Sequence, residues 1–206
     1  SYIRKENADL VGLSITATSL FPLSAQIAKV IKETTPDAIL VAGGIHVSAL
    51  PKGVLENSKV DIVVQGEGEI ILGDLVDAIR SDGDISKVTG IWYKNNTGTV
   101  VTTGKAVKRQ IPDINKLPIL FPENAVDIDA YKDGISMFDG PYLPILASRG
   151  CPFNCRFCGR QVAISGPKVR LRQAERVVAE IEHNISFHKV HNFVFWDGSF
   201  GVNKRQ

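Results

Sequence analysis

All three cysteines of the chain fall within eight positions, Cys151-Pro-Phe-Asn-Cys155-Arg-Phe-Cys158. Thiolates this close in sequence can converge on one iron–sulfur cluster, and a cubane with three protein ligands leaves one iron open to bind something else. Zinc is the competing metal, with His183, His188 or His191 completing a Cys3His set. Structural zinc sites, however, pair their ligands as C-x2-C and H-x3-5-H, and only Cys155 and Cys158 have such a spacing. A disulfide framework is disfavoured, because three is odd and the chain exceeds the size class that needs covalent staples.

The spacing C-x3-C-x2-C, with Phe157 just before the last cysteine, resembles the signature of the radical S-adenosylmethionine (SAM) enzymes. The resemblance implies that Cys151, Cys155 and Cys158 ligate a 4Fe–4S cluster whose open iron is chelated by the amino and carboxylate groups of SAM. In that family an electron from the reduced cluster splits the sulfonium and gives a 5′-deoxyadenosyl radical. Phe157 matches the aromatic position that borders the adenine, with simple burial under the loop as the alternative. Asp197 stands where many relatives carry Gly-Gly-Glu, so the resemblance passes the methionyl ammonium to it as a charge-assisted partner. A helix-capping aspartate is the other reading.

A second constellation lies far upstream. Ser14-Ile-Thr16 and Gly43-Gly44 each follow a predicted strand, at the carboxyl edge where open α/β sheets bind ligands. This arrangement resembles the later part of the cobalamin-binding signature, Asp-x-His-x-x-Gly, then Ser-x-Leu or Ser-x-Thr, then Gly-Gly. By that resemblance Ser14, Thr16, Gly43 and Gly44 line a slot for the nucleotide tail of cobalamin, while the histidine element would lie before residue 1. Turn geometry alone also explains strand-end serine and paired glycines. Gly66-x-Gly68 is set aside as a phosphate loop, because Glu67 and Glu69 would repel the anion. They read as charges at a helix N-terminus, each worth about 0.3–1 kcal/mol.

The elements that must position these residues alternate. Apolar strands at 10–16, 38–44 and 60–64 are separated by helical patterns after Phe21-Pro22 (Leu23, Ile27, Val30, Ile31), around 51–57, and from 69 onward (Ile71, Leu72, Leu75, Val76, Ile79). This is an α/β pattern, a Rossmann-like doubly wound parallel sheet of the cobalamin-binding type. Residues 88–103 read as a hairpin on one sheet edge, turning at Asn95–Gly98. Five prolines between 112 and 144 mark an ordered linker. Leu143–Gly150 reads as a strand entering the cysteine loop, 171–185 as a helix with Val177, Val178, Ile181 and Ile185 inward, and Asn192–Asp197 as a second strand. Together they make the start of a partial (β/α) radical SAM barrel, with sites at strand carboxyl ends. The expected division is 1–104 cobalamin-type domain with its amino-terminal part missing, 105–142 linker, and 143–206 the first, truncated βα unit of a barrel.

Composition adds few constraints. The chain has 206 residues, 44% hydrophobic and 22% charged, with net charge +2, so no global field points to nucleic acid or a membrane surface. The basic run Lys168-Val-Arg170-Leu-Arg172, with Arg176, reads as a solvated loop and helix start. With no apolar stretch of transmembrane length and no leader-like start, the reading places reduced thiols in the cytoplasm. The functional expectation is a radical SAM enzyme that uses a 4Fe–4S cluster, SAM and cobalamin for methyl transfer, cyclisation or rearrangement of a small-molecule substrate. A flavodoxin or ferredoxin would supply electrons, and these 206 residues alone would not be active. The alternative is a non-catalytic iron–sulfur electron-transfer or zinc-binding module.

Overall fold

The computed structural model describes residues 8–104, 110–119, 140–153, 155–158 and 164–201. The helix end expected over 2–8, most of the linker, and the helix start after Asn203 lie wholly or largely outside the described residues. The chain forms two compact units. The first contains the described residues up to Ile111 and those within 154–166; the second contains those within 112–153 and from Pro167 on.

The first unit is built on a five-stranded sheet: β1 (Leu10–Ser14), β2 (Ile39–Gly43), β3 (Ile62–Val64), β4 (Ile91–Lys94) and β5 (Val100–Thr102), in that spatial order. β1, β2 and β3 are parallel, and the hairpin β4–β5 joins β3 antiparallel. The sheet is therefore mixed and mostly parallel. The reversal of strand order that defines a doubly wound sheet is not present among the described strands. Helices nevertheless cover both faces, which explains the unbroken apolar runs of β2 and β3. Helices α1 (Phe21–Thr34), α2 (Ile45–Ala49) and α3 (Pro51–Asn57) close a core of Ile15, Ala28, Ile31, Leu40, Ala42, Val47, Val54, Leu55 and Val63. On the other face α4 (Gly68–Arg80) brings Ile71 and Leu75 onto Val41, Ile62, Val64 and Ile91.

Helix α1 departs from its expected face. Its buried residues are Ser24, Ala28 and Ile31, and the two small ones, Ser24 and Ala28, let the helix approach the sheet. Leu23, Ile27 and Val30, which carried the periodicity, are exposed. Pro22 falls in the first turn, where its missing N–H costs no bond. The start of β2 is fixed by Asp61, whose Oδ2 accepts from Leu40 N–H at 2.8 Å and from Lys32 Nζ at 2.9 Å. Trp92 donates its indole N–H to Gln65 Oε1 at 3.1 Å.

The second unit holds a β–α–β crossover. β6 (Tyr142–Ile145) pairs in parallel with β9 (Asn192–Phe195), and α5 (Ala174–His188) connects toward β9. Two parallel strands and one helix agree with a first βα unit and do not by themselves make a barrel. The strand expected over 143–150 is broken. After β6 the chain leaves the pair, and β7 (Ser148–Arg149) joins β8 (Arg170–Leu171) antiparallel, closing the base of the segment that carries the cysteines.

Helix α5 starts three residues later than the periodicity placed it, at Ala174. Val177 is buried as expected, but Val178 is exposed and Glu180 and Asn184 are buried instead. Glu180 is inside because Arg172 meets its carboxylate at 2.5 Å. Arg172 also donates to Leu146 O at 3.0 Å, so the pair ties α5 to the end of β6. Arg170 is buried as well. Lys168 and Arg176 are exposed as expected, but the middle of the basic run is not solvated: a buried charge needs partners, and Arg172 has them. Trp196 is half exposed. Among the described residues no helix is long and apolar enough to cross a membrane.

Candidate functional site

The first candidate site lies in the first unit, at the carboxyl ends of β1 and β2. Parallel pairing sets Ser14 directly beside Gly43 and Gly12 beside Val41. These residues, with Leu13, Gly44, Val64, Gly66, Gly68 and Leu72, line a cleft of about 260 Å³. Its walls are the sheet face and the first turns of α4. Its floor is bare backbone: a Cβ built on Gly12 meets nothing within 4 Å, and one on Gly43 meets only Val64 O at 3.9 Å. Side chains at either position would project into the cleft.

Gly44 has another role. It sits at φ +105°, and a Cβ there would lie 2.6 Å from Ile15 O, so this glycine is required by the turn itself. Three of the four expected residues, Ser14, Gly43 and Gly44, thus come together at the cleft; Thr16 is exposed and is not among its lining residues. Gly12, Gly66 and Gly68 were missed. The signal was present as Gly66-x-Gly68, dismissed on the carboxylates beside it, and as a glycine inside an apolar strand, which often marks a close backbone approach.

Glu67 itself corrects the earlier reading. It precedes α4 with no side-chain cap bond and is only 4% exposed. Its Oε2 accepts from Ile111 N–H at 3.1 Å. The carboxylate turns away from the cleft and holds a chain segment, whereas Glu69 does lie in the first helical turn as expected. Behind the glycine turn, buried His46 sets Nδ1 3.1 Å from Thr18 Oγ1 and packs its ring on Phe21 at 4.9 Å. Burial lowers its pKa below the ordinary histidine value.

Of the three expected cluster ligands, Cys151 lies in the second unit and Cys155 and Cys158 in the first. In the second unit Cys151 is half-buried and its Sγ lies 3.3 Å from Ser199 Oγ. Gly150 before it has φ +98°, and a side chain there would strike the Lys168 carbonyl. In the first unit Cys155 and Cys158 are exposed and bound in a turn by Cys158 N–H to Cys155 O at 3.0 Å. None of the three cysteines is in a disulfide, and among the described residues no three His, Cys, Asp or Glu side chains form a group that could hold a metal ion. Phe157 is 93% exposed, so it is not buried under the loop.

Asp197 follows β9. Its Oδ2 accepts from Ala147 N–H at 3.1 Å, and its Oδ1 accepts from the Ser148 hydroxyl. The residue caps no described helix; it ties the end of β9 to the strand leading into the cysteine loop. The histidines are elsewhere. His188 ends α5 and His191 immediately precedes β9, at the amino end of the strand pair, while Ser199 keeps Cys151 beyond its carboxyl end. A four-residue strand spans about 13 Å, so neither His188 nor His191 is placed beside Cys151.

Residues 1–76 match the family model of the B12 binding domain. Over 99% of its length the chain is 30% identical to an uncharacterized methyltransferase, PH0819, of Pyrococcus horikoshii, covering 42% of that protein. It is 29% identical over 99% of its length to the anaerobic magnesium-protoporphyrin IX monomethyl ester cyclase of Cereibacter sphaeroides, covering 32% of it. Over 90% of its length it is 30% identical to the cobalamin-dependent radical SAM methyltransferase TokK of Streptomyces tokunonensis, covering 27% of that protein. The fold matches the radical SAM methyltransferase TsrM of Kitasatospora setae, solved with cobalamin and a [4Fe-4S] cluster bound, with a TM-score of 0.79 over 98% of this chain and 39% of that one, at 22% identity. The chain therefore spans less than half the length of these relatives. A sheet with a glycine-floored cleft, a β–α–β crossover and a C-x3-C-x2-C run agree with these likenesses: residues 1–76 are similar to the B12 binding domain, and the chain as a whole is similar to cobalamin-dependent radical SAM methyltransferases and to the anaerobic magnesium-protoporphyrin cyclase.

Proposed function

We propose that this chain supplies the cobalamin-binding and cluster-binding parts of a radical SAM enzyme acting on a small-molecule substrate by methyl transfer, cyclisation or rearrangement. The carrying observation is the cleft. At about 260 Å³ it is smaller than the roughly 300–1,000 Å³ of sites that enclose a whole ligand. It suits the flat tail of a larger molecule, whose remainder lies across the sheet's carboxyl edge. Gly12 and Gly43 admit a ring system to van der Waals contact with the backbone, and Ser14 offers a hydroxyl at the rim. Thr16 is exposed near that edge, where it could meet only the outer part of the ligand.

The donor set supports a 4Fe–4S cluster: three cysteines outside any disulfide, two of them exposed, in one C-x3-C-x2-C run. Cys151, Cys155 and Cys158 would each hold one iron as thiolates, whose proton loss the metal itself favours. When bound, such a cluster supplies the electron that breaks the sulfonium bond of SAM. The chain's own residues bind and orient. Exposed Phe157 is free to cover the adenine, and Asp197, whose oxygens each keep a further lone pair, is free to accept from the methionyl ammonium. The division into a cobalamin-type domain over 1–104, a linker over 105–142 and the first unit of a barrel over 143–206 belongs to the same proposal. So do a flavodoxin or ferredoxin as electron donor and a cytoplasmic setting that keeps the thiols reduced.

Anaerobic reconstitution with iron and sulfide, followed by addition of SAM, tests it. The cluster's spectrum should change when SAM binds, and cobalamin should copurify or titrate in. Stoichiometric zinc without iron in anaerobically prepared protein, or a cluster indifferent to SAM, would leave the electron-transfer or zinc module as the better reading.

A further inference from the structure

The sequence after β9, Asp197-Gly198-Ser199, meets the start of the cysteine loop at three consecutive points, all within the second unit. Asp197 binds Ala147 and Ser148. A Cβ on Gly198 would lie 3.5 Å from Gly150 O and 3.7 Å from Cys151 Cβ. Ser199 Oγ is 3.3 Å from Cys151 Sγ and 2.8 Å from Gly198 O. The first two contacts fix the path of both segments, so the third is held in place from either side.

A serine hydroxyl has one proton and here faces two acceptors. While Cys151 is a thiol, its S–H can donate to Ser199 Oγ and the hydroxyl can donate to Gly198 O. A cluster-bound sulfur carries no proton, and then only the hydroxyl can be the donor across this contact. A hydrogen bond to a ligating sulfur withdraws electron density, favours the more negative reduced state, and is one of the features that set the potential of an iron–sulfur centre.

Building on the cluster reading above, we propose that Ser199 is a positioning residue for the cluster: its hydroxyl donates to the Cys151 sulfur, holds that ligand in place and raises the reduction potential. No motif assigns this role, because Ser199 lies 48 residues from Cys151 and outside the cysteine run.

The test compares anaerobically reconstituted wild type, Ser199→Ala and Ser199→Thr. Three quantities are read: iron content, midpoint potential by EPR-monitored titration, and the iron–sulfur stretching frequencies in H2O and D2O. The expected result is a more negative potential and a lost solvent-isotope response in Ser199→Ala, both restored in Ser199→Thr. Iron retained by wild type and Ser199→Thr but lost from folded Ser199→Ala also supports the assignment. Equal potentials and equal isotope responses in wild type and Ser199→Ala overturn it while the cluster reading stands, and iron lost from the alanine and threonine variants alike counts against a hydroxyl role. Wild type that assembles no cluster overturns the cluster reading and this assignment with it.

Discussion

Ser14 and Gly43 are register partners at the carboxyl ends of two parallel strands, and the space above Gly43 is open except for Val64 O at 3.9 Å. A side chain longer than methyl at Gly43 would enter the cleft without colliding with the sheet. Gly43→Leu should therefore weaken cobalamin binding by at least about tenfold, equivalent to about 1.4 kcal/mol, with little change in thermal midpoint. Spectrophotometric titration and a melting curve on the same sample check it. Unaltered affinity would mean that the cleft is not the cobalamin slot.

Gly44 should respond differently although it is the adjacent residue. Its φ of +105° and the 2.6 Å approach of a built Cβ to Ile15 O make any side chain a backbone problem. Gly44→Ala should cost about 1–3 kcal/mol of stability, seen as a lower urea midpoint. Loss of ligand binding in that variant would report damage to the turn, which makes Gly43 the cleaner probe of the cleft.

How much could be read from sequence follows the same division between backbone and side chains. Alternating apolar runs located the three parallel strands and the hairpin to within two or three residues at each end, because strands covered on both faces need uninterrupted hydrophobicity. Side-chain direction was less legible. Leu23, Ile27 and Val30 satisfy a helical period yet face out, since the period does not say which stripe meets the sheet and α1 seats its smaller residues there. Glu67 and Glu180 are buried where partners outside their own turn reach them, Ile111 N–H for the first and the Arg172 guanidinium for the second. No local pattern announces such pairs. At the candidate sites the cysteine spacing and Gly43-Gly44 were plain, while Gly12 and Ser199 became visible only through strand register and the path after β9.

Glu67 offers a direct check on that kind of burial. Removing its carboxylate leaves Ile111 N–H without this acceptor, and an unsatisfied buried donor costs about 1–3 kcal/mol. Glu67→Ala should lower stability by that amount, and Glu67→Gln, which keeps an acceptor oxygen, by less. Chemical denaturation of both variants distinguishes this role from a helix-end charge, whose loss would cost only about 0.3–1 kcal/mol.

His46 should make stability depend on pH. Burial lowers its folded pKa below the value of 6.5, so the unfolded chain binds the proton more readily than the native one. Stability is then complete above about pH 6.5 and declines as pH falls from there through the lower folded pKa, because ν_U exceeds ν_N in that window. His46→Gln should flatten this limb of the profile. Urea midpoints between pH 5 and pH 8 measure it, and an unchanged slope in the variant would remove His46 as the cause.

Asp197 carries two assignments that one pair of substitutions can separate. As a clasp it needs acceptors for Ala147 N–H and the Ser148 hydroxyl. Asparagine can meet the first with its carbonyl, and Ser148, free to rotate its hydroxyl, can instead accept from the amide. As a partner for the methionyl ammonium of SAM it needs its negative charge, since charge-assisted bonds are roughly twice as strong as neutral ones. Asp197→Asn should therefore retain most of the stability that Asp197→Ala loses, yet bind SAM about tenfold more weakly, equivalent to about 1.4 kcal/mol. The measurement is SAM affinity of the reconstituted cluster followed by EPR, beside thermal melts of both variants. Wild-type SAM affinity in a stable Asp197→Asn protein would confine Asp197 to the clasp and send the ammonium to another acceptor.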